Sequence, residues 1–133
     1  MKKDNIKNYK RGWILGVFDP VIFNIVDNYE TYEKAPEIGV QFYHAGDSHD
    51  YHYHKLVTEW NVIAKGKCVF RTPNEDIELV EGDILVIEPN EPAQLFAISD
   101  CCVVCLKNDS VSGDKYIYQP SNLKEKSWLI QST

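Results

Sequence analysis

The sequence predicts an all-β domain, a sandwich or barrel of short antiparallel strands, and three observations carry this prediction. Roughly seven to nine short apolar, β-rich runs follow one another, with turn residues about every ten positions. No stretch shows sustained helical periodicity with caps. The chain has 133 residues, 44% of them apolar, which is enough for one domain with its own core and no need of disulfides. We therefore expect a single domain over residues 1–133.

The two ends of the chain are the most polar parts. Residues 1–12 are rich in lysine and asparagine, and we expect a loose arm there. The run WILGVFDPVIFNIVDNY follows, and Pro20 predicts a turn between its two apolar halves. Residues 109–133 are interrupted by Pro120, and we expect them to wrap the outside of the domain or to close one end through residues 128–130.

The strands lie between these ends, over a barrel core of about residues 38–108. VQFYHA alternates as a strand does, and EWNVIA with KCVFRT predicts a hairpin with Gly66 in its turn. Further strands are predicted in IELV, DILVIEP, AQLFAI and CCVVCLK, separated by turn residues. The four cysteines are Cys68, Cys101, Cys102 and Cys105. We expect free thiols packed in strands, because free cysteine behaves as a small buried hydrophobe. An offset of three puts Cys102 and Cys105 on opposite faces of a strand, which is unsuited to metal chelation.

Charge and hydropathy exclude two classes of partner. The net charge is −6 and the cations are scattered lysines without a basic stripe, which argues against nucleic acid. No apolar run approaches the roughly 20 residues that a membrane span needs. The basic N-terminal stretch lacks the continuous apolar core of a signal peptide, so we expect a cytoplasmic location.

All four histidines fall within or just before the stretch Gly46–Gly66, which reads GDSHDYHYHKLVTEWNVIAKG. His52 and His54 are two residues apart and share one face of an extended strand. Glu59 has an odd offset from them, so it joins them only if the chain bends over residues 55–58. Two imidazoles and a carboxylate that converge in this way suit a divalent transition metal.

The spacing of this stretch resembles the first sequence motif of the cupin superfamily. The motif's glycines are matched by Gly46 and Gly66, and its histidines and carboxylate by His52, His54 and Glu59. The resemblance implies a cupin-type double-stranded β-helix, a jelly-roll barrel with the motif facing its interior. It also implies a homodimer, because cupins commonly dimerise through N-terminal strands; an edge strand packed on the barrel is the alternative for the N-terminal run.

A second stretch, GDILVIEPNEPAQLF, resembles the second cupin motif in part. Gly82 matches, and Asn90 replaces a glycine at a position where asparagine tolerates positive φ. The position of the fourth metal ligand, a histidine, is Ala93, which cannot bind a metal. Gln94 reaches the interior only through a bulge, and His49 is interpreted as a surface histidine or a substitute ligand.

Three functions remain open from the sequence. In the first, His52, His54 and Glu59 hold Fe, Zn, Mn or Ni with open positions for water or substrate, as in a metal-dependent oxygenase or isomerase of a small polar metabolite. In the second, HYHK resembles the H-x-H-K of metal-free sugar-nucleotide ketoisomerases and epimerases. His52 or His54 would then be the catalytic acid or base, oriented by Glu59. In the third, the barrel binds a ligand without catalysis and the cluster is a polar network.

Three further side chains are predicted to line the pocket. Asn61 is two residues after Glu59 and so shares its face of a regular strand. Tyr43 and Gln94 are the other two candidates, from the strand before the first motif and from the end of the second.

Overall fold

The computed structural model describes residues 1, 3–8, 11–16 and 36–119. Within these ranges, apart from one short 3-10 helix (Ile6–Asn8), the regular structure is β-strand, which confirms the all-β prediction. The ten strands exceed the predicted number because two of them have only two residues. The strands are β1 (Arg11–Leu15), β2 (Glu37–Tyr43), β3 (His52–Tyr53), β4 (Glu59–Lys65), β5 (Lys67–Arg71), β6 (Asp76–Val80), β7 (Ile84–Ile87), β8 (Gln94–Ala97), β9 (Cys101–Lys107) and β10 (Tyr116–Ile117).

The described strands form three antiparallel sheets. The largest has the order β1-β2-β9-β4-β7, the second has the order β6-β5-β8, and β10 pairs with β3 in a two-stranded sheet. Isolated bridges join Ser48 to Phe96 and His52 to Ala93, so the first motif runs antiparallel beside β8. These bridges connect the first motif to the three-stranded sheet that contains β8.

The core lies between the five-stranded and the three-stranded sheets. Strand β4 shows the alternation that builds it: Glu59, Asn61 and Ile63 are buried, whereas Trp60 and Val62 on the other face are half-buried. The buried cluster consists of Tyr43, Ile63, Cys68, Phe70, Leu79, Ile87, Ala93, Leu95, Ala97, Cys101 and Val103. Three of the four cysteines, Cys68, Cys101 and Cys102, are buried, and all four are free thiols.

The predicted hairpin of β4 and β5 is present, with Gly66 in its turn. Its φ is +86°, a conformation that L side chains rarely adopt. A Cβ at this position would also collide with the carbonyl oxygen of Asp100 and lie 2.7 Å from the Cβ of Cys101. Both the conformation and the close approach of β9 require glycine here.

Several predictions for the chain ends concern residues that the structure does not describe. The turn at Pro20 and the closing segment at residues 128–130 lie outside the described residues. Strand β1 begins at Arg11, so the end of the segment expected to be an arm is paired with β2. In the expected C-terminal wrap, β10 pairs with β3 beside the histidines. No helix among the described residues is long and apolar enough to cross a membrane.

Candidate functional site

A cavity of about 570 Å³ opens inside the barrel and receives most of the predicted site. The side chains of His52, His54 and Glu59 all line it, as do Tyr43 and Asn61. The structure thus brings together the three predicted metal ligands and two of the three predicted pocket residues. Gln94, the third, is not part of the wall.

The bend that brings Glu59 to the histidines depends on a residue far along the chain. Strand β3 ends at Tyr53, and the carboxylate of Asp114 accepts hydrogen bonds from the backbone N–H groups of Lys55 (3.0 Å) and Leu56 (3.1 Å). Asp114 is buried, so its two hydrogen bonds hold the turn from the inside. The bend predicted over residues 55–58 is therefore present, and β4 starts at Glu59 on the cavity side.

The pair formed by His54 and Glu59 is the most informative contact of the cavity. The Nδ1 atom of His54 lies 2.6 Å from the carbonyl oxygen of Asp114, so it carries a proton and donates to that oxygen. The Nε2 atom faces Oε1 of Glu59 at 3.5 Å, is buried, and has no hydrogen-bond partner within the described part of the chain. A neutral His54 would direct a lone pair at a carboxylate, so a proton or a metal cation belongs between the two atoms.

The carbonyl oxygen of Asp50 orients two further imidazoles. It lies 2.6 Å from Nδ1 of His52 and 2.9 Å from Nδ1 of His49, so both rings donate from Nδ1 and present Nε2 elsewhere. The N–H of Leu95 also approaches Nδ1 of His49, at 3.4 Å, but the shorter contact with the carbonyl decides the tautomer. Ring centroids are 5.0 Å apart for His49 and His52, and 5.1 Å apart for His52 and His54.

His49, interpreted from the sequence as a surface histidine or a substitute ligand, lies in the cavity wall and is not a surface histidine. Its offset of three from His52 would put the two rings on opposite faces of a regular strand. Residues 49–51 are not part of a strand, so that alternation does not apply to them. The clustering of every histidine of the chain near one motif was the available signal.

The protonation states of these groups follow from burial and charge. Burial, and then the charge of His49, lower the pKa of His52 to about 4, and burial also lowers the pKa of His49. Burial alone would raise the pKa of Glu59, but the neighbouring His54 imidazole, the hydrogen bond from Asn61 and the charge of Lys107 outweigh it and lower the pKa to about 2. At neutral pH, the neutral rings of His49 and His52 and the ionised Glu59 are in the forms that bind metals.

Two further groups of the wall, the Tyr43 phenol and the Cys105 thiol, are not activated as nucleophiles. The Tyr43 hydroxyl donates to Oε1 of Gln41 at 2.8 Å, and burial raises the pKa of Tyr43, so the phenol stays protonated. Burial and the charge of Glu59 raise the pKa of Cys105 well above its ordinary value, which keeps it a thiol. Lys107 and Glu37 form a largely buried ion pair at 3.1 Å, which also belongs to the wall.

The second motif contributes backbone contacts and Leu95 to this site, but no polar side chain to the cavity wall. Ala93 and His52 exchange two backbone hydrogen bonds of 3.2 and 3.0 Å. Asn90 has a φ of +68°, as predicted for a residue in a glycine position. The Nε2 amide of Gln94 donates to the carbonyl oxygen of His49 at 2.9 Å, so Gln94 holds the first motif from outside the cavity.

The donor set suits a divalent metal in its chemistry, but its side chains do not close around one point. In the ranges that the structure describes, no group of three or more His, Cys, Asp or Glu side chains is arranged as a metal site. An imidazole centroid lies about 3.2 Å from its metal, so neighbouring ligands have centroids about 4.5–5.2 Å apart. The two ring separations above fall in this range. The Nδ1 atoms are already anchored on carbonyl oxygens, as ligating histidines require.

Comparison with known families gives one match, to the AraC-like ligand binding domain, over residues 35–106. No curated protein matches the sequence.

Solved structures show the same fold at low identity. A double-stranded β-helix protein from Klebsiella pneumoniae is 15% identical, with 64% of this chain and 76% of that chain covered and a TM-score of 0.58. Ectoine synthase from P. lautus is 16% identical, with 65% and 68% covered and a TM-score of 0.54. A cupin superfamily protein from Desulfitobacterium hafniense is 14% identical, with 60% and 72% covered and a TM-score of 0.54. These likenesses confirm the predicted double-stranded β-helix.

Proposed function

Because the chain belongs to the AraC-like ligand binding domain family and to the cupin superfamily, we propose that its cavity binds a small polar metabolite beside a divalent transition metal. His52, His54 and Glu59 would hold this metal, which is Fe, Zn, Mn or Ni. Three protein ligands leave coordination positions open for water or substrate. The reaction we propose is a metal-dependent oxygenation or isomerisation of that metabolite.

One observation carries the proposal: the buried, unpartnered Nε2 of His54 faces the Glu59 carboxylate at 3.5 Å. A buried acceptor beside a buried anion is unfavourable unless a proton or a metal cation lies between them, because neither group has water to compensate. A metal would accept electron pairs from both. When bound, it would supply Lewis-acid activation of a ligand oxygen.

The remaining wall supports a polar, acidic ligand. Asn61 donates to Oε2 of Glu59 at 2.9 Å and so leaves that carboxylate only part of its acceptor capacity. Three cationic side chains line the same cavity, and two of them, Lys107 and Lys115, are paired with carboxylates. The third, Arg11, would attract a carboxylate or another anionic group of an organic acid or a sugar derivative. The phenol oxygen of Tyr43, whose proton is donated to Gln41, would accept a hydrogen bond from a ligand hydroxyl.

Metal analysis of the protein purified without chelators tests the proposal. We expect near-stoichiometric transition metal in the wild type and its loss in His52→Ala, because one of three ligands is removed. His44→Ala is the matched control, since the His44 side chain is 78% exposed and lies outside the cavity wall. A metal-free wild type that also fails to take up added metal contradicts the proposal.

A binding module without catalysis is the second candidate, favoured by the description of the family as a ligand binding domain. It predicts that a ligand bound in the cavity is recovered unchanged after long incubation with metal-loaded protein. Turnover of that ligand excludes this candidate.

The metal-free isomerase is less well supported. A histidine base works best with a pKa near the working pH, whereas burial lowers the pKa of His52 to about 4. This candidate predicts exchange of a substrate proton with solvent in metal-free protein, abolished in His52→Asn or His54→Asn. Calorimetry that detects no binding of a sugar nucleotide excludes it.

We also propose a cytoplasmic homodimer. Ile84 and Val86 of the edge strand β7 are 61% and 45% exposed and pair with Val62 and Trp60, so the outer face of this sheet is apolar along its edge. A second copy covering this face would bury these side chains. Light scattering should show a dimer for the wild type and a monomer for Ile84→Lys. Four free thiols are typical of a reducing compartment.

A further inference from the structure

We propose that the β1 end of the cavity is a binding subsite for a sugar acid, in which Arg11 binds the carboxylate and the indole of Trp13 contacts the sugar ring. The inference rests on the proposed function of the cavity as the binding site of a small polar metabolite, and it narrows the class of that metabolite. Both residues belong to the cavity wall, and both come from a strand that neither cupin-like motif includes.

Strand β1 extends the cavity wall beyond the residues of the two motifs. Arg11 pairs with Gln41 and Trp13 pairs with Gly39, and all four residues line the cavity, so they share one face of the sheet. Strand β4, which begins at Glu59, is three strand spacings away from β1, or about 14 Å along the sheet. The subsite is therefore separate from Glu59 and the histidine beside it.

The indole of Trp13 lies against a glycine of the neighbouring strand. A Cβ atom at Gly39 would be 3.4 Å from Nε1 and 3.5 Å from Cδ1 of the indole, so the ring packs where another residue would carry its side chain. The same row of the sheet continues with Cys105, a short side chain, and then with Asn61. This row is a shallow trough with an indole at one end and an amide at the other, which suits a ring of the ligand.

Arg11 is the cation of the wall that suits a ligand carboxylate. Its guanidinium carbon lies 6.0 Å from the centroid of the Trp13 ring, at the outer limit of a cation–π contact. The other two cations of the wall, Lys107 and Lys115, are each paired with a carboxylate. None of the ion pairs between described residues includes Arg11. A guanidinium can bind a carboxylate through two parallel hydrogen bonds, which fixes the orientation of the ligand.

The polar groups beside the trough favour a hydroxylated ring over an aromatic one. The Tyr43 hydroxyl donates to Oε1 of Gln41, which leaves the amide N–H groups of Gln41 as donors and the Tyr43 oxygen as an acceptor. The amide of Asn61 donates to Glu59, which leaves its carbonyl oxygen as a further acceptor. Sugar hydroxyls use both donors and acceptors, and the C–H groups of a sugar ring pack on the electron-rich face of an indole.

Isothermal titration calorimetry with three probes tests the inference. D-Glucuronate carries a ring and a carboxylate, D-glucose carries the ring alone, and D-gluconate carries the carboxylate on an open chain. The variants are Arg11→Gln, which removes the charge, and Trp13→Leu, which removes the ring but keeps an apolar side chain. Lys65→Gln is the matched control, since this exposed cation is not part of the wall and its substitution changes the net charge equally. Thermal unfolding checks that each variant is folded.

We expect the wild type to bind glucuronate about 10-fold or more tightly than glucose or gluconate, because only glucuronate satisfies both side chains. Arg11→Gln should raise the Kd for glucuronate about 10–100-fold and abolish the preference for glucuronate over glucose, because a charged hydrogen-bond donor is lost. Trp13→Leu should raise the Kd for glucuronate about 3–10-fold and abolish the preference over gluconate. Lys65→Gln should stay within about twofold of the wild type.

The inference is wrong if the wild type does not bind glucuronate, or if a folded Arg11→Gln binds it with the wild-type Kd. It is also wrong if benzoate, which carries the same carboxylate on an aromatic ring, binds more tightly than glucuronate. The metal content of the same samples tests the proposed metal site separately. Metal-loaded protein that does not bind glucuronate contradicts only the inference, whereas metal-free protein that binds glucuronate through Arg11 and takes up no added metal contradicts only the metal site.

Discussion

The two cupin-like segments, Gly46–Gly66 and residues 82–96, both begin with a glycine but contribute different things to the cavity. The first supplies the three histidines and Glu59 of the wall, whereas the second supplies a turn, a backbone ladder and Leu95. The alanine at the ligand position of the second segment still bridges to the backbone of His52. A barrel can therefore lose a ligand side chain and keep the strand pairing that positions the others.

The physical reason is that strand pairing uses only backbone groups. The two hydrogen bonds between Ala93 and His52 form whatever side chain stands at position 93. Ala93 instead packs into the buried core cluster. The histidines and Glu59 of the cavity therefore all lie in the first segment. Substitutions in the first segment should accordingly be tolerated much less well than substitutions in the second segment.

The largest expected difference between the segments concerns one glycine of each. Gly66→Ala should lower the free energy of unfolding by about 2–5 kcal/mol, because positive φ costs roughly 1–2 kcal/mol and the added Cβ meets Asp100 and Cys101. Gly82→Ala, at a φ of +91° but with no atom within 4 Å of the added Cβ, should lose only about 1–2 kcal/mol. Urea unfolding measures both, and equal losses contradict the close approach of β9.

The next effect separates the carboxylates of the two segments. Glu59→Gln should weaken metal binding about 100-fold, because a neutral amide replaces the charged ligand. The matched control in the second segment is Glu88→Gln, an exposed side chain that is not part of the cavity wall. A competition assay with a chelator measures both Kd values. Similar losses for the two variants would mean that general charge, not ligation, determines the affinity.

A smaller effect tests how far the first segment depends on the rest of the chain. Asp114→Asn should lower the free energy of unfolding by about 1.5–3 kcal/mol, since the buried carboxylate accepts the N–H groups of Lys55 and Leu56. Asp76→Asn, an exposed aspartate at the start of β6, should change it by no more than about 0.5 kcal/mol. Urea unfolding measures both variants. If Asp114→Asn is as stable as the wild type, the hydrogen bonds of Asp114 do not stabilise the bend.

The smallest effect is expected in the turn of the second segment. Asn90→Gly should change the free energy of unfolding by less than about 0.5 kcal/mol, because glycine adopts the observed φ of +68° freely but also gains entropy in the unfolded chain. Asn90→Val should cost about 1–2 kcal/mol, since a β-branched residue disfavours positive φ. Thermal unfolding of the two variants measures the difference, and a tolerated valine contradicts the assigned backbone conformation.

Much of the fold can be predicted from local sequence patterns, because the strands and turns that these patterns favour are also those found in the folded protein. The continuous apolar run CCVVCLK predicts the buried strand β9, and Lys65-Gly66 predicts the hairpin whose turn must be glycine because β9 approaches it closely. The bend over residues 55–58 is predicted because Glu59 has an odd offset from the histidines and would lie on the opposite face of an unbroken strand. The resemblance to the first cupin motif predicts that His52, His54 and Glu59 meet inside the barrel, and all three line the cavity.

The parts that could not be predicted depend on contacts between distant residues. Asp114 lies 59 positions after Lys55, in a segment that the sequence describes only as a polar wrap. The position of His49 in the cavity wall depends on an irregular stretch, where side chains do not alternate between two faces as they do in a strand. It also depends on the carbonyl oxygen of Asp50, which His49 shares with His52 as a hydrogen-bond acceptor. Gln94 alternates away from the cavity as its position predicts, but its hydrogen bond to His49 requires knowing which segment lies beside β8.

The most direct test of the central claim is a crystal structure of the metal-loaded protein with anomalous diffraction data collected at the absorption edge of the bound metal. The account predicts one anomalous peak in the cavity, bonded to Nε2 of His52, Nε2 of His54 and the carboxylate of Glu59. A loaded crystal without a peak between these side chains, or with its peak elsewhere on the protein, would contradict it.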